Sequence, residues 1–210
     1  GWSPVGEKEL FNREELIEAY DINRMSASPA YFDQKKLDWI NAEYIKKTSI
    51  EDLTCRILLL VNAEETYTTK QLKKFEIEND SNFVKKVVNI YHTEAKSLMT
   101  FMEKILFIKT IEQASFTYSD LEDFDKDSVK QILNIMITEL NEMKEIVDYS
   151  EIIRTIQKAT GQKGRNIYMP LNIVFTDRKS APKITEILSV IPLETVKHLI
   201  YKALSFLSNN

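Results

Sequence analysis

The sequence predicts an all-α protein with no substantial sheet, and two observations support this. Turn-forming residues are sparse, since only four Gly and five Pro occur among 210 residues, and a chain rich in β-turns needs more of them. Apolar residues also recur at helical spacing in several long stretches, which follow residues that can cap a helix. We therefore expect a multi-helix cage.

The first three helices are indicated by their caps and by their apolar sides. Asn12 can cap the first helix, and Glu15, three residues on, can complete a capping box. Asp33 can cap a second helix, whose apolar residues at helical spacing are Leu37, Ile40, Tyr44 and Ile45. We expect a third helix from about Ser49 to Asn62.

A long apolar stripe predicts one helix from about Ser81 to Phe107. Its members fall within roughly 80° on a helical wheel; they are Phe83, Val87, Ile90, Leu98, Phe101 and Ile105. Glu94 falls inside the same arc. Because burying an unpaired carboxylate is costly, either the helix breaks there or the side chain of Glu94 reaches a cleft or a cation.

An acidic stretch follows, formed by Asp120, Glu122, Asp123, Asp125 and Asp127. We interpret it as a solvated loop whose last member, Asp127, caps a helix running towards Met143. A calcium loop is the alternative, but the stretch lacks the turn glycine and the closing bidentate Glu of such loops.

Three further helices are expected in the last third of the chain. Ser150 can cap one that stops at Gly161, a residue type common at helix C-termini. Two amphipathic helices follow, from Lys183 to Val190 and from Leu193 to Leu207.

Composition excludes several classes of protein. Hydrophobic residues make up 43% and charged residues 29% of the chain, which is typical of a soluble globular protein. The single cysteine, Cys55, excludes an internal disulfide and fits a reducing compartment. Since no apolar run approaches the ~20 residues of a membrane span and no secretion signal is visible, we expect a cytoplasmic monomer without membrane contact.

The common catalytic and cofactor motifs are missing. His92 and His198 with one cysteine cannot form a recognisable zinc site, and we interpret His92 as a solvent-facing helix residue. The four glycines, Gly1, Gly6, Gly161 and Gly164, form no phosphate-binding loop. We expect no cofactor in this chain and no catalysis by it alone.

One segment is basic although the whole chain carries a net charge of −4. Residues 151–183 contain seven basic and two acidic residues, so this segment carries +5 and the remainder −9. A basic segment on an acidic protein indicates a polyanion bound at one end. We expect Lys163, Arg165, Arg178 and Lys179 to contribute to RNA affinity, mainly by holding phosphates.

Two aromatic residues, Tyr168 and Phe175, lie within the basic segment. Exposed rings can stack on unpaired bases. The alternative is a solvated basic surface with both rings in the core, and charge alone does not separate the two interpretations.

Two stretches resemble glutamyl-tRNA synthetases of the bacterial type. Residues 1–46 contain Gly-Trp-Ser-Pro-Val-Gly, Glu-Glu-Leu-Ile-Glu-Ala-Tyr, Ser-Ala-Ser-Pro-Ala-Tyr-Phe-Asp and Lys-Leu-Asp-Trp-Ile-Asn-Ala-Glu-Tyr-Ile. These are similar to the segment that follows the second class I signature in that family. Residues 164–177 contain Ile-Tyr-Met-Pro-Leu-Asn-Ile-Val-Phe-Thr-Asp, similar to a Pro-Leu-Arg-containing family motif that precedes a Pro and a Glu-Ile-Leu helix. The 120 residues between the two matches share only the helical layout.

Residues Arg24 to Ser28, Arg-Met-Ser-Ala-Ser, mimic the ATP-binding Lys-Met-Ser-Lys-Ser loop of the family. The following residues, Pro29 to Asp33, place them instead in a later structural turn. The resemblance thus implies that both catalytic signatures, and with them ATP and Mg²⁺, belong to a part of the parent ligase N-terminal to Gly1. That catalytic domain of the same polypeptide is an expected partner.

The resemblance implies three regions and the tRNA for glutamate as partner. Residues 1–48 correspond to the end of a stem-contact region, residues 49–120 to a first helical anticodon-binding subdomain and residues 121–210 to a second.

Several single positions carry over from the family. Lys36 and Trp39 match residues near the inner side of the tRNA arm, although Trp39 also suits a partly buried position. Pro182 and Ile184 match the loop and helix start that pack on an anticodon base, although Pro182 also suits any first helical turn. Asn172 stands where the family usually has an arginine that reads the anticodon.

Glu94 stands close to a position where some members of the family place another arginine. That arginine accepts the glutamate anticodon and rejects the glutamine anticodon. An ionised glutamate is acceptor-only and cannot make this distinction. We therefore expect a ligase that charges both the glutamate and the glutamine tRNA, unless another cation takes the place of the arginine.

Two other classes of function remain open from the sequence. The chain could be a helical protein-interaction scaffold that binds no nucleic acid. It could also be a truncated synthetase-like paralogue that binds another RNA.

Overall fold

The computed structural model describes residues 1–6, 8–29, 31–63, 65–111, 116–142, 147–181 and 183–209, which contain helices and no strand. The predicted all-α class is confirmed. In these residues the α-helices are, in chain order, α1 (Arg13–Ala19), α2 (Gln34–Lys47), α3 (Ile50–Ala63), α4 (Tyr67–Lys74), α5 (Ser81–Tyr91), α6 (Leu98–Ile111), α7 (Lys126–Glu142), α8 (Tyr149–Thr160), α9 (Arg165–Thr176), α10 (Ile184–Leu188) and α11 (Leu193–Asn209). Short 3-10 helices lie at Ile22–Arg24, Ile77–Asn79 and Ser119–Asp123.

The predicted caps of the first two helices are confirmed. The Asn12 side chain accepts a hydrogen bond from the amide of Glu15, and the Glu15 carboxylate accepts one from the amide of Asn12, which completes a capping box. The Asp33 carboxylate accepts from two amides of the first turn of α2. Each bond satisfies an amide that the helix itself leaves unpaired.

Two later caps were each predicted two residues too late. The cap of α7 is Asp125, whose carboxylate accepts from the amide of Ser128, and Asp127 lies inside the first turn. The cap of α8 is Asp148, so Ser150 lies inside that helix. In both cases an aspartate lies two residues before the predicted cap; at α8 its charged oxygen is a stronger acceptor than the Ser150 hydroxyl. The predicted helix end at Gly161 is confirmed, with φ of 69°.

The prediction of one uninterrupted helix from Ser81 to Phe107 is wrong, because α5 ends at Tyr91 and α6 begins at Leu98, and the alternative of a break at Glu94 is confirmed. Glu94 lies in the turn between them. The interpretation of His92 as a solvent-facing helix residue is also wrong. His92 is half-buried, and its Nε2 lies 2.9 Å from the carbonyl oxygen of Ile45 and 3.0 Å from that of Thr48.

The helices pack in two groups around a continuous apolar core. Helix α3 packs against α4, α5 and α6, whereas α7 packs against α8, α9 and α11. Helix α10 contacts α5 as well as α8 and α9, so it lies where the two groups meet. The largest fully buried side chains, Phe101 and Phe175, come from α6 and α9, one from each group.

The N-terminal part of the chain is much less buried. Among the described residues before residue 50, only Ile45 is buried. Lys36 pairs with Glu9, and the Tyr44 hydroxyl donates to the carbonyl oxygen of Phe11, so polar contacts hold α2 to the preceding segment. In the described part of the chain, no helix combines the length and the apolar character needed to cross a membrane.

Candidate nucleic-acid interface

A pocket of about 290 Å³ opens where the two helical groups meet. Its walls are formed by Tyr91, Glu103, Lys104, Phe107, Arg178, Ser180, Ala181 and Ile187. The first four come from α5 and α6 and the others from the loop after α9 and from α10. Residues about 70 to 100 positions apart in the sequence thus face one cavity.

Cations lie over both aromatic rings of this pocket. The guanidinium carbon of Arg178 lies 4.9 Å from the ring centroid of Phe107. The Nζ of Lys104 lies 5.2 Å from the ring centroid of Tyr91. A flat aromatic surface bordered by positive charge can stack a base and hold its phosphates at the same time.

Tyr91 keeps its hydroxyl proton at any physiological pH. Burial, together with the negative charges of Glu94 and Glu186, raises the pKa of Tyr91 to about 12. The side chain therefore offers a neutral ring and a hydroxyl to the pocket.

Lys183 contacts Ile90, Glu94 and Glu186, and we call these four residues beside the pocket walls the rim of the pocket. Lys183 begins α10 in the left-handed conformation, with φ of 58°. Its Nζ donates to the carbonyl oxygen of Ile90 at 2.5 Å and lies 3.4 Å from a carboxylate oxygen of Glu94 and 3.7 Å from one of Glu186. Glu94 therefore satisfies both sequence-based alternatives, because the helix breaks there and the carboxylate reaches a cation.

The structure brings several predicted site residues to one loop. Arg178 and Lys179 are exposed and follow α9 directly, and Ile184 begins α10 but is buried. Pro182 lies outside the described residues. Lys179 contacts two carboxylates: its Nζ lies 2.7 Å from Asp123 and 3.3 Å from Asp120.

Asn172 lies in α9 and is buried. Its Nδ2 donates to the carbonyl oxygen of Lys179 at 3.4 Å, whereas its Oδ1 is buried and accepts no hydrogen bond from the described residues. A buried acceptor without a partner is uncommon and calls for an explanation.

Other predicted residues lie elsewhere on the surface. Lys163 and Arg165 are exposed on either side of Gly164, which caps the start of α9. The Arg165 side chain borders a second pocket of about 320 Å³ together with Asp123. Lys36 and Trp39 lie on α2 and line neither of these pockets.

The two rings of the basic segment have different environments. Phe175 is fully buried, whereas Tyr168 is 39% exposed. Phe175 therefore belongs to the core, and only Tyr168 remains available for stacking. The rings that face the junction pocket, Tyr91 and Phe107, were not predicted as site residues, because no sequence pattern places them next to the loop after α9.

The acidic stretch does not gather into a metal site in the structure. Asp120 and Asp123 contact Lys179, and Asp125 caps α7. In the described ranges, no group of three or more His, Cys, Asp or Glu residues could hold a metal ion.

The sequence of this chain also matches a protein family and several relatives. Residues 59–204 match the model of a family described as anticodon binding domain. The chain is 43% identical to glutamate–tRNA ligase 1 of Levilactobacillus brevis, over 98% of this chain and 41% of the relative. It is 39% identical to the glutamate–tRNA ligase of Limosilactobacillus reuteri, over 100% of this chain and 42% of the relative. The chain thus spans about two fifths of the length of these relatives.

The fold is also found in solved structures. The glutamate–tRNA synthetase of Elizabethkingia anophelis aligns with a TM-score of 0.67 and 19% identity, over 98% of this chain and 38% of that chain.

Proposed function

Because the chain belongs to the anticodon-binding domain family, we propose that it binds the anticodon arm of tRNA as part of a glutamate–tRNA ligase. The observation that carries this proposal is the pocket between the two helical groups, with Phe107 under Arg178 and Tyr91 under Lys104. Sequence-specific RNA recognition usually targets unpaired bases, which stack on aromatic rings and on guanidinium groups. Anticodon loops present such bases.

The cations and the aromatic rings of the pocket have different roles in binding. The exposed cations hold phosphates, which fixes the position of the RNA without reading its sequence. Phe107 and the guanidinium group on it receive a base, whereas Tyr91 is only 2% exposed and serves as a wall of the pocket. Since Arg178 already lies on Phe107, binding does not have to order that side chain first.

The first test measures binding of unmodified glutamate tRNA by fluorescence anisotropy. We expect Arg178→Ala and Phe107→Leu each to weaken binding by about tenfold, the size of one stacking contact of roughly 1–3 kcal/mol. The matched control is Arg154→Ala, because Arg154 is exposed on the same basic segment but pairs with Glu151 outside the pocket; it should change the affinity little.

Two outcomes would count against this proposal in different ways. If the wild-type chain does not bind the tRNA at low salt, the scaffold interpretation is preferred. If tRNAs of other identities compete as well as glutamate tRNA, the chain is better described as a module for another RNA. Affinity should fall as salt rises, because phosphate contacts release counterions.

We propose further that this chain does not attach glutamate by itself. The ligase reaction, with ATP and Mg²⁺, would then require residues beyond these 210. Glutamate-dependent exchange of pyrophosphate with ATP by the chain alone would contradict this.

The rim of the pocket bears on the choice between glutamate and glutamine tRNAs. Lys183 is the cation next to Glu94, but its Nζ already donates to the carbonyl oxygen of Ile90 and contacts Glu94 and Glu186. Of the three donors of this ammonium group, one is used by Ile90, and the two carboxylates balance its charge. We propose that the rim lacks a free donor pair for an anticodon base and that the parent ligase accepts both tRNAs.

This proposal is tested by comparing both tRNAs on the wild type, Glu94→Arg and Glu94→Gln. We expect equal affinities in the wild type and a preference for glutamate tRNA in Glu94→Arg, worth roughly the 1–3 kcal/mol of a bidentate base contact. Glu94→Gln removes the charge without adding a guanidinium and should create no such preference. A strong preference in the wild type, unchanged by Glu94→Arg, would contradict the proposal.

A further inference from the structure

The side chain of Lys179 is occupied by carboxylates in the unbound protein. Its Nζ lies 2.7 Å from Asp123 Oδ2 and 3.3 Å from Asp120 Oδ1. Both aspartates belong to the 3-10 helix Ser119–Asp123, which precedes α7, whereas Lys179 follows α9. A cation of the basic segment is thus already paired with two anions from a distant part of the chain.

These carboxylates stand where an RNA phosphate would bind. Like a phosphate, they present anionic oxygens at hydrogen-bond distance from Lys179. Hydrogen bonds from Lys179 lower the pKa of Asp123, and the charge of Arg165 acts in the same direction. Asp123 therefore remains ionised next to two residues that we expect to contact phosphate.

The ion pairs are not needed to hold the two segments together. The carboxylate of Asp177 accepts from the backbone amide of Tyr118 at 3.2 Å and from Thr117 at 3.4–3.5 Å. The Lys179 ammonium and both aspartates are exposed by 43–63%, and exposed ion pairs contribute little to stability.

We infer that Asp120 and Asp123 act as an internal competitor for RNA phosphate at Lys179. This inference rests on the proposed function and adds to it a limit on the affinity that charge alone can provide. RNA must displace both carboxylates before it gains the contact with Lys179. RNAs held only by charge are thereby kept weak, because for them charge supplies essentially all of the affinity. An RNA that also fits the pocket has further contacts and still binds.

The test removes the competitor without changing side-chain shape. In Asp120→Asn with Asp123→Asn, we expect affinity for glutamate tRNA, and for a heparin oligosaccharide that carries charge without bases, to rise about three- to tenfold at low salt. The slope of log affinity against log salt should become steeper by about 0.7–0.9 for the phosphate contact that Lys179 gains.

A double-mutant cycle shows whether the effect acts through Lys179. In a Lys179→Ala background, the two Asp→Asn changes should no longer raise affinity. The control for general charge is Glu151→Gln, which removes a carboxylate 2.7 Å from Arg154 on the same basic segment. It should raise affinity much less than the paired aspartate changes.

Three results would overturn the inference. The Asp→Asn variant could bind tRNA and heparin more weakly, which would show that the ion pairs hold the loop in its binding conformation. The gain in affinity could persist in the Lys179→Ala background, or it could be no larger than the gain in Glu151→Gln. Either result would show that the gain comes from the change in net charge. Failure of the proposed function is distinguishable, because heparin would then still respond to the aspartate changes while the wild-type chain would not bind tRNA.

Discussion

The side chain of Asn172 combines burial with an unused hydrogen-bond acceptor. Its Oδ1 accepts nothing from the described residues, while its Nδ2 reaches the loop that lines the junction pocket. Leaving such a group unpaired costs roughly 1–3 kcal/mol of folding free energy. The same helix contains a satisfied counterpart, since the buried hydroxyl of Thr176 donates to the carbonyl oxygen of Asn172 at 2.7 Å.

We predict opposite effects for the two buried polar residues of α9. Asn172→Leu should raise the free energy of unfolding by about 1 kcal/mol, because it removes an unpaired acceptor, and should weaken tRNA binding. Thr176→Val should lower the free energy of unfolding by about 1 kcal/mol, because it removes a made hydrogen bond. Urea denaturation measures both. A destabilised Asn172→Leu variant would contradict this prediction, because it would show that losing the hydrogen bond from Nδ2 to Lys179 outweighs removing the unpaired oxygen.

Single residues also show what the sequence could supply. The positive charges of Arg178 and Lys179 follow directly from the sequence. The structure exposes both side chains, as contact with RNA requires. The sequence does not reveal the stacking partner of Arg178, because Phe107 lies 71 positions earlier. Phe175 and Tyr168 occur in the same basic segment, yet only the packing of α9 decides that one is buried and the other partly exposed.

Among the elements, the turn between α5 and α6 has the largest consequence for the site. It brings Glu94 to the pocket rim and places His92 against the end of α2. Because both partners of His92 Nε2 are carbonyl oxygens, this nitrogen carries a proton. The imidazole thereby adds a hydrogen bond at the C-terminal end of α2, where the carbonyl oxygen of Ile45 also accepts from the amide of Thr48.

We predict that His92→Ala loosens this junction locally. The free energy of unfolding should fall by about 1 kcal/mol, the contribution of a typical hydrogen bond. Amides near residues 45–49 should exchange faster with solvent, whereas those of α7 and α11 should be unchanged. His92→Gln, whose amide can still donate, should recover part of the protection. Faster exchange throughout the chain would contradict a local role.

This turn also shows why one element was mispredicted. The range 81–111 contains neither Gly nor Pro, and the apolar spacing continues across the break, so Glu94 was the only sign of it. Directly after α5, His92 contacts the carbonyl oxygens of Ile45 and Thr48, which lie more than forty positions away and cannot be inferred from the local sequence. By contrast, the caps at Asn12 and Asp33 act within one turn, and the sequence alone predicted them.

At the scale of the whole molecule, burial is distributed unequally. Among the described residues before residue 50 only Ile45 is buried, whereas α3 to α11 share a continuous apolar core. Since burial of apolar area is the dominant favourable term in folding, stability should be concentrated after residue 49. Both tryptophans, Trp2 and Trp39, lie in the weakly buried part.

We predict two separate transitions when the chain is unfolded in urea. Tryptophan fluorescence, which reports only on the N-terminal part, should change at lower urea than far-ultraviolet circular dichroism, which reports mainly on α3 to α11. Trp39→Phe should leave the circular dichroism midpoint unchanged. Coincident midpoints for both probes would instead show one cooperative unit.

The Lys183 contact at the pocket rim also sets when the binding site can exist during synthesis. Its ammonium reaches the carbonyl oxygen of Ile90, 93 positions earlier in the chain. Domains form from their N-terminal end as the chain is made, and α3 to α6 can pack as soon as residue 111 has left the ribosome. The pocket needs the loop after α9 as well, so a nascent chain that ends before residue 178 has half of the wall residues and lacks Lys183. The pocket is therefore complete only when residue 187, the last residue of its walls, has emerged.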